Sequence, residues 1–174
     1  MLFKIFAVAA ATLIAAVVDN HSDIKKLKDL TAFNIYIPTR YETALHYEVK
    51  FPEPDHKENV EYILVNYFDA KDDYVFGVHE QKNNTFVTKE IHEVDGSSGN
   101  LTIRREKYYY SYKPRPNSEL VSINGENGWY EAYINRTGRG GKLTWIDSGT
   151  CIELDTVYLS KNNMIKIAES MKKL

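Results

Sequence analysis

Two His-Glu pairs, His79-Glu80 and His92-Glu93, are the residues of this sequence that could most simply do acid-base chemistry. A histidine near a carboxylate can act as a general base, and two histidines four residues apart on a helix can bind zinc. Both pairs lack the second histidine and lie in strand-like segments. They do not predict a zinc site. They leave a small hydrolase, using a histidine such as His79 and a carboxylate, as the alternative to a binding function. The export signal described below would make this hydrolase extracytoplasmic.

Two glycine-rich segments match known motifs only in part. In GRGGKL, residues 138–143, Leu143 follows the lysine where a phosphate-binding loop has serine or threonine. In GSSG, residues 96–99, neither serine has a glycine two positions away on both sides, as a nucleophile elbow requires. We interpret both segments as loops.

The acidic cluster and the single cysteine also favour structural interpretations. The run from Asp69 to Asp73 lacks the glycine and the distal glutamate of a calcium loop, which favours a solvated turn. Cys151 is the sole cysteine, so an internal disulfide and a cysteine-rich metal site are excluded. The sequence predicts no catalytic, cofactor-binding or metal-binding residues.

The N-terminus is typical of an export signal. Residues 2–18 carry one charge, Lys4, followed by a continuous apolar run, and polar residues begin at Asp19. A small-x-small cleavage site is missing near the end of the run, so residues 1–18 are either a signal peptide or a signal anchor. With Lys4 on the cytoplasmic side, the remaining chain lies outside, at the cell membrane or secreted after cleavage.

The composition of the whole chain is that of one soluble domain. The chain has 174 residues, a net charge of −2 and 26% charged residues, which does not favour a nucleic-acid partner. The segment RREKYYY, residues 104–110, mimics a basic-aromatic nucleic-acid surface, but the export signal argues against it. Residues 19–32 form a polar linker or short helix, and residues 33–174 an extracytoplasmic domain.

Period-two alternation from Phe33 onward predicts a sheet. In LHYEVKF, residues 45–51, Leu45, Tyr47, Val49 and Phe51 share a core face. VEYILVNYF, residues 60–68, is apolar on both faces and reads as a central strand. YVFGVHEQ, residues 74–81, places Tyr74 with Phe76 and Val78, opposite Gly77 and His79.

Two hairpins follow. For LVSINGENGWYEAYI, residues 120–134, we predict a four-residue loop, NGEN, with Val121 opposite Tyr130 and Ile123 opposite Gly128. For LTWIDSGTCIEL, residues 143–154, we predict a turn at Ser148-Gly149. The predicted cross-strand pairs are Ile146 with Cys151, Trp145 with Ile152, Thr144 with Glu153 and Leu143 with Leu154.

The C-terminal segment SKNNMIKIAESMKKL, residues 160–174, predicts an amphipathic helix with Ser160 as its N-cap. Its apolar stripe would lie across the sheet and either fill the core or line an apolar ligand cavity. The stripe consists of Met164, Ile165, Ala168 and Met171.

The segments ELVSINGENGWYEAY, KLTWIDSGTCIEL and MIKIAESM, together with FNIYIPTRY near the start, resemble the bacterial domain of unknown function four-three-six-seven. The resemblance covers roughly residues 33–172. It implies an exported or membrane-anchored protein of spore-forming bacteria, in some cases the outer part of an anti-sigma or sporulation protein. It also implies a fold similar to the lipoprotein carrier LolA, with a curved antiparallel half-barrel and helices in its concavity. No catalytic residues are implied.

Taken together, these features predict an α+β fold, a curved antiparallel sheet with the C-terminal helix packed on it, preceded by the apolar export or anchor helix. The expected function is a non-enzymatic extracytoplasmic binding or regulatory domain, attached to the membrane through residues 2–18 or released from it. Its partner would be a protein or a lipid acyl chain, with no cofactor and no nucleic acid.

Overall fold

A computed structural model of the chain describes residues 22–41, 44–52, 60–134 and 138–174. The predicted export or anchor segment, residues 1–18, lies outside them. The described helices are α1 (Ser22–Leu27) and α2 (Lys161–Ser170). The described strands are β1 (Tyr36–Pro38), β2 (His46–Phe51), β3 (Tyr62–Phe68), β4 (Tyr74–Lys82), β5 (Thr85–Val94), β6 (Leu101–Tyr110), β7 (Glu119–Ile123), β8 (Glu126–Ala132), β9 (Gly141–Asp147), β10 (Thr150–Thr156) and β11 (Met171–Lys173).

The main sheet has seven antiparallel strands in the order β2-β3-β4-β10-β9-β8-β7 and is not closed into a barrel. Strands β5 and β6 leave it as a separate two-stranded ribbon, and β1 pairs with β11 in a second small sheet. The predicted α+β class, mostly antiparallel sheet with few helices, is confirmed. Within the described ranges, no helix has the length and apolar character needed to cross a membrane.

The predicted hairpin at Ser148-Gly149 is confirmed in every cross-strand pair. Ile146 lies opposite Cys151 and Trp145 opposite Ile152, and the register continues to Gly141 opposite Thr156. Ser148 and Gly149 both have positive φ, 48° and 82°, which is the conformation of a tight two-residue turn with strands of matching twist. This hairpin joins β9 and β10 at the centre of the sheet.

The predicted register of the preceding hairpin is wrong by two residues. Val121 lies opposite Gly128, and Ile123 lies opposite Glu126. The loop has two residues, Asn124 and Gly125, with φ of 51° and 92°, so the tight turn replaces the predicted four-residue loop. A shift of two residues keeps every side chain on its face, and Ile123 and Tyr130 are buried as expected.

Two strands of the main sheet depart from simple alternation. A bulge separates Val49 from Phe51, which pairs with Leu64 and stacks on Tyr62 at a ring distance of 4.1 Å. Another irregularity places Tyr74 opposite Phe68. The hydroxyl of Tyr74 reaches the backbone carbonyl oxygen of Asp155 instead of joining Phe76 in the core. The predicted face of Tyr74 is therefore wrong, because the irregularity inserts a residue into the alternation. Phe51 still packs against the core, as predicted.

Helix α2 begins after Ser160, whose hydroxyl accepts the N–H of Asn163, as the capping prediction expects. Its buried side chains are Met164, Ile167 and Ala168, while Ile165 is only partly buried. The helix ends at Ser170, and Met171 begins β11 instead of continuing the helical stripe. Ile167, which the predicted stripe omits, is therefore a core residue of the helix. Met171 is also in the core, but it belongs to β11.

Candidate functional site

The main sheet has a groove on the face opposite the core, which we call the outer-face groove. It has a volume of about 400 Å³. Its side chains alternate with the buried Ile63, Val65, Val78, Ile152 and Leu154 of the same strands. The groove is lined by Tyr62, Leu64, Asn66, Tyr74, Gly77, His79, Glu153 and Asp155.

The strand register arranges this groove in two rows across β3, β4 and β10. In the first row, His79 lies between Leu64 and Glu153. In the second row, Gly77 lies between Asn66 and Asp155. The groove therefore combines residues that are far apart in the chain and that only the sheet brings together.

Gly77 lies at the floor of the groove, and its lack of a side chain leaves space between Asn66 and Tyr74. A Cβ added there would come within 3.0 Å of Asn66 Oδ1 and 3.1 Å of Tyr74 Oη. Such contacts are tighter than carbon and oxygen atoms normally tolerate, so a side chain would push these groups aside. The glycine thus keeps two polar oxygen atoms facing a common space.

Both carboxylates of the groove have one oxygen bound to a protein donor. The Tyr133 hydroxyl donates to Oδ2 of Asp155, and Lys142 Nζ lies 2.8 Å from Oε1 of Glu153. Burial, followed by the charge of Asp155, raises the pKa of the Tyr74 hydroxyl to about 12. Tyr74 and Tyr133 are therefore neutral hydrogen-bonding groups at physiological pH.

His79 is a neutral imidazole in this setting. Burial lowers its pKa below the ordinary value of 6.5, and the nearby Glu153 only partly opposes this effect. Its ring meets the Tyr62 ring edge-on at a centroid distance of 5.2 Å. A neutral imidazole can accept a proton, which is one of the requirements for a general base.

Cys151 lies on the same face of β10 but is not an activated nucleophile. Burial raises the pKa of its thiol to about 11, whereas a reactive cysteine needs a lowered pKa. The Tyr110 hydroxyl donates to its sulfur at 3.3 Å. The thiol is therefore protonated and covered at neutral pH.

The chain that follows β6 covers the neighbouring part of this face. The Tyr112 ring packs against Trp129 at a centroid distance of 5.4 Å, and the Tyr112 N–H donates to Asn83 Oδ1 at 2.9 Å. Together with Tyr110 over Cys151, these contacts cover positions on β10 and β8 that lie beside the outer-face groove.

The structure separates the two members of each His-Glu pair. His79 faces the groove, but Glu80 points into the core, where both of its oxygens lie 3.1 Å from the Tyr36 N–H. His92 and Glu93 lie on the ribbon, where Glu93 is 3.6 Å from Arg104. Neighbouring residues of a strand face opposite sides, so neither pair acts as a unit.

The predicted cavity residues lie on the other side of the sheet from the groove. Met164 has no solvent exposure, and Ala168 and Met171 are also buried in the core, with Ile165 packed against it. The Asp69 cluster forms a turn in which Asp69 Oδ1 accepts the N–H groups of Lys71 and Asp73. Among the described residues, no three His, Cys, Asp or Glu side chains are grouped to hold a metal ion.

Sequence reasoning placed two of the groove residues, Gly77 and His79, on one face of a strand but predicted no groove. The alternation of β4 places Gly77 and His79 together on the face opposite Phe76, which was the available signal. It missed Asn66 and Tyr62, and it did not place Glu153 and Asp155 beside His79 and Gly77, because these neighbours depend on strand pairing. The resemblance to the domain of unknown function rests on its quoted segments alone: no protein-family model, no curated protein and no solved structure matches this chain.

Proposed function

We propose that this chain is a non-enzymatic extracytoplasmic binding or regulatory domain of a membrane-anchored or secreted bacterial protein, and that the outer-face groove is its ligand site. The observation that carries the proposal is the open floor at Gly77. Two carboxylates, an amide and aromatic side chains surround space that any larger residue would fill. Concave sites with a few convergent polar groups are the usual form of ligand pockets.

The extracytoplasmic location rests on the apolar run of residues 2–18, and the half-barrel resembling LolA rests on the quoted segments. A carrier of this kind would hold an acyl chain against α2. The packing of α2 favours a polar partner instead, because Met164 and Ala168 already fill the space between helix and sheet. Binding of an acyl chain there would require α2 to move outward.

Binding by the outer-face groove can be tested with two glycine substitutions. Gly77→Ala places a methyl group against Asn66 and Tyr74, whereas Gly96→Ala adds one to open space in a surface loop. The full chain in detergent is screened by NMR with amino-acid amides, disaccharides and dicarboxylic acids. We expect at least one class to shift the signals of Gly77 and His79, and Gly77→Ala alone to weaken that binding. Ligand shifts confined to other parts of the sheet would contradict the proposal.

A second candidate function is a small extracytoplasmic hydrolase. What favours it is His79, a neutral imidazole directly opposite Glu153 in the register. A base and a carboxylate side by side could activate a water molecule for attack on an ester or amide. The test is hydrolysis of chromogenic esters by the full chain and by His79→Gln. Activity that disappears in His79→Gln would replace the binding proposal, and activity that persists would not come from this groove.

A further inference from the structure

The net charge of the outer-face groove is negative. Its lining contains Glu153 and Asp155 and no lysine or arginine. Lys142 neutralises Glu153 at 2.8 Å, while Asp155 forms no ion pair with any residue that the structure describes. The burial of His79 keeps its imidazole neutral at physiological pH. Lys142 is also the cross-strand neighbour of Asp155, but its ammonium group is paired with Glu153, so two carboxylates share one lysine.

The polar atoms around the floor are mainly hydrogen-bond acceptors. Asn66 Oδ1 and Tyr74 Oη flank the space above Gly77. The Tyr74 hydroxyl already donates its proton to the backbone oxygen of Asp155 at 3.1 Å. Its oxygen accepts from the Gly77 backbone and keeps one lone pair for a ligand. Oδ2 of Asp155 accepts the hydrogen bond from the Tyr133 hydroxyl, and Oδ1 can accept a hydrogen bond from a ligand. Such a group of acceptors suits a ligand that carries several N–H donors.

Aromatic rings complete the match. The rings of Tyr62 and Tyr74 border the same space, and aromatic faces attract cations. A planar guanidinium offers five N–H donors, binds carboxylates and stacks on aromatic rings, and an ammonium offers three donors. A carboxylate or phosphate ligand would instead face the negative charge of Asp155.

We propose that the outer-face groove binds a guanidinium or ammonium group, with Asp155 as its charge partner and Asn66 and Tyr74 as acceptors. This inference rests on the proposed function, since it names the ligand class of the same site. The group could belong to a basic side chain of a protein partner or to a free small cation. Both sources present the same chemistry to the groove.

The experiment compares a cationic ligand with its neutral isostere. The full chain, in a polyoxyethylene detergent that lacks sugar head groups, is titrated calorimetrically with acetyl-arginine amide and acetyl-citrulline amide at low salt. We expect the arginine amide to bind roughly tenfold more tightly, because a hydrogen bond to a charged group contributes more than a neutral one. We also expect its affinity to fall as salt is raised.

Substitutions locate the binding. Asp155→Asn should lower the affinity for the arginine amide about tenfold and leave that for the citrulline amide unchanged. Glu93→Gln, on the exposed ribbon, is the matched control and should change neither affinity. A peptide with one arginine between alanines that binds more tightly than the amide indicates a protein partner, and equal affinity indicates a free cation.

The outcomes that overturn the inference are distinct from those that overturn the proposed function. If arginine and citrulline amides bind equally and Gly77→Ala weakens both, the groove binds ligands but does not recognise charge. If the arginine amide binds and neither Gly77→Ala nor Asp155→Asn weakens it, the cation site lies elsewhere. If neither these amides nor the disaccharides and dicarboxylic acids shift the groove signals, both proposals fail together.

Discussion

Glu80 is a carboxyl group in the core, fully buried in the middle of β4. Both of its oxygens lie 3.1 Å from the N–H of Tyr36, which belongs to the first strand. Burial raises its pKa well above the ordinary value, and the hydrogen bond from Tyr36 only partly opposes this effect. The protonated form is therefore the form that the folded chain favours.

We expect Glu80→Gln to stabilise the fold more at pH 8 than at pH 4. Below its ordinary pKa, near 4.5, Glu80 is protonated in both the folded and the unfolded chain. Above that value the unfolded chain releases the proton and the folded chain keeps it, so stability falls by about 1.4 kcal/mol per pH unit until the folded pKa is reached. Glutamine removes this loss and keeps an acceptor for Tyr36. Urea denaturation at both pH values measures the difference, and equal effects would contradict the protonated state.

The two tryptophans differ in burial and should differ in their contribution to stability. Trp145 is 3% exposed and lies opposite Ile152 in the core, whereas Trp129 is partly exposed and packs against Tyr112. We expect Trp145→Ala to cost about 3–5 kcal/mol of unfolding free energy and Trp129→Ala clearly less. Chemical denaturation of both variants compares the losses. Equal losses would mean that the Tyr112 segment is as important to the fold as the core.

At the scale of elements, the β5–β6 ribbon departs most from the rest of the fold. Its side chains are largely exposed, including Phe86 at 68% and Tyr109 at 56%. Near its base, Val87 is buried and the Thr88 N–H donates to Glu61 at 2.9 Å. The ribbon beyond these contacts therefore adds little to the core.

We expect a chain with a shortened ribbon to fold with nearly unchanged stability. Residues 90–105 are removed, and an Asn-Gly turn joins Lys89 to Glu106, which already face each other. The unfolding free energy should change by less than roughly 1 kcal/mol, because surface changes away from the core are usually small. Loss of a cooperative transition on heating would show that the outer ribbon supports the sheet.

Alternation predicted the β9–β10 hairpin fully but could not choose the register of β7 and β8. Registers that differ by two residues have the same faces, so only the turn geometry of Asn124 and Gly125 decides between them. The alternation also gives no sign of irregularities such as the one between Tyr67 and Phe68, which moves Tyr74 off its predicted face. The groove could be predicted only in part for a similar reason. The alternation of β4 gives the face of His79, but Glu153 becomes its neighbour only because β10 lies beside β4. Such pairing between distant segments leaves no local pattern.

At the scale of the whole molecule, the core includes residues from the segment next to the apolar N-terminal run. Ile24 of α1 is fully buried, and Leu27 and Leu30 pack against the core. Thr31 forms a parallel bridge with Val60. The segment interpreted from sequence as a linker or short helix therefore contributes packing to the domain.

We expect a chain that starts at Asp19 to be soluble and to unfold cooperatively, because it retains α1 and every described core residue. A chain that starts at Phe33 is the matched comparison, and it should be less stable because it lacks Ile24 and Leu27. Expression yield and thermal unfolding followed by circular dichroism measure both. An insoluble Asp19 chain, beside a full chain that behaves well in detergent, would show that residues 1–18 belong to the core.

The pairing of β1 with β11 has a mechanical consequence. Tyr36 lies opposite Lys173, and the Leu174 N–H donates to the Ile35 carbonyl oxygen at 2.9 Å, so the last residues of the chain are bound near the start of its first strand. In this antiparallel arrangement, a pull between residue 22 and Leu174 acts on adjacent strand ends. Each hydrogen bond would then be loaded in turn instead of all at once, and β11 would peel away at low force while the seven-stranded sheet stayed whole.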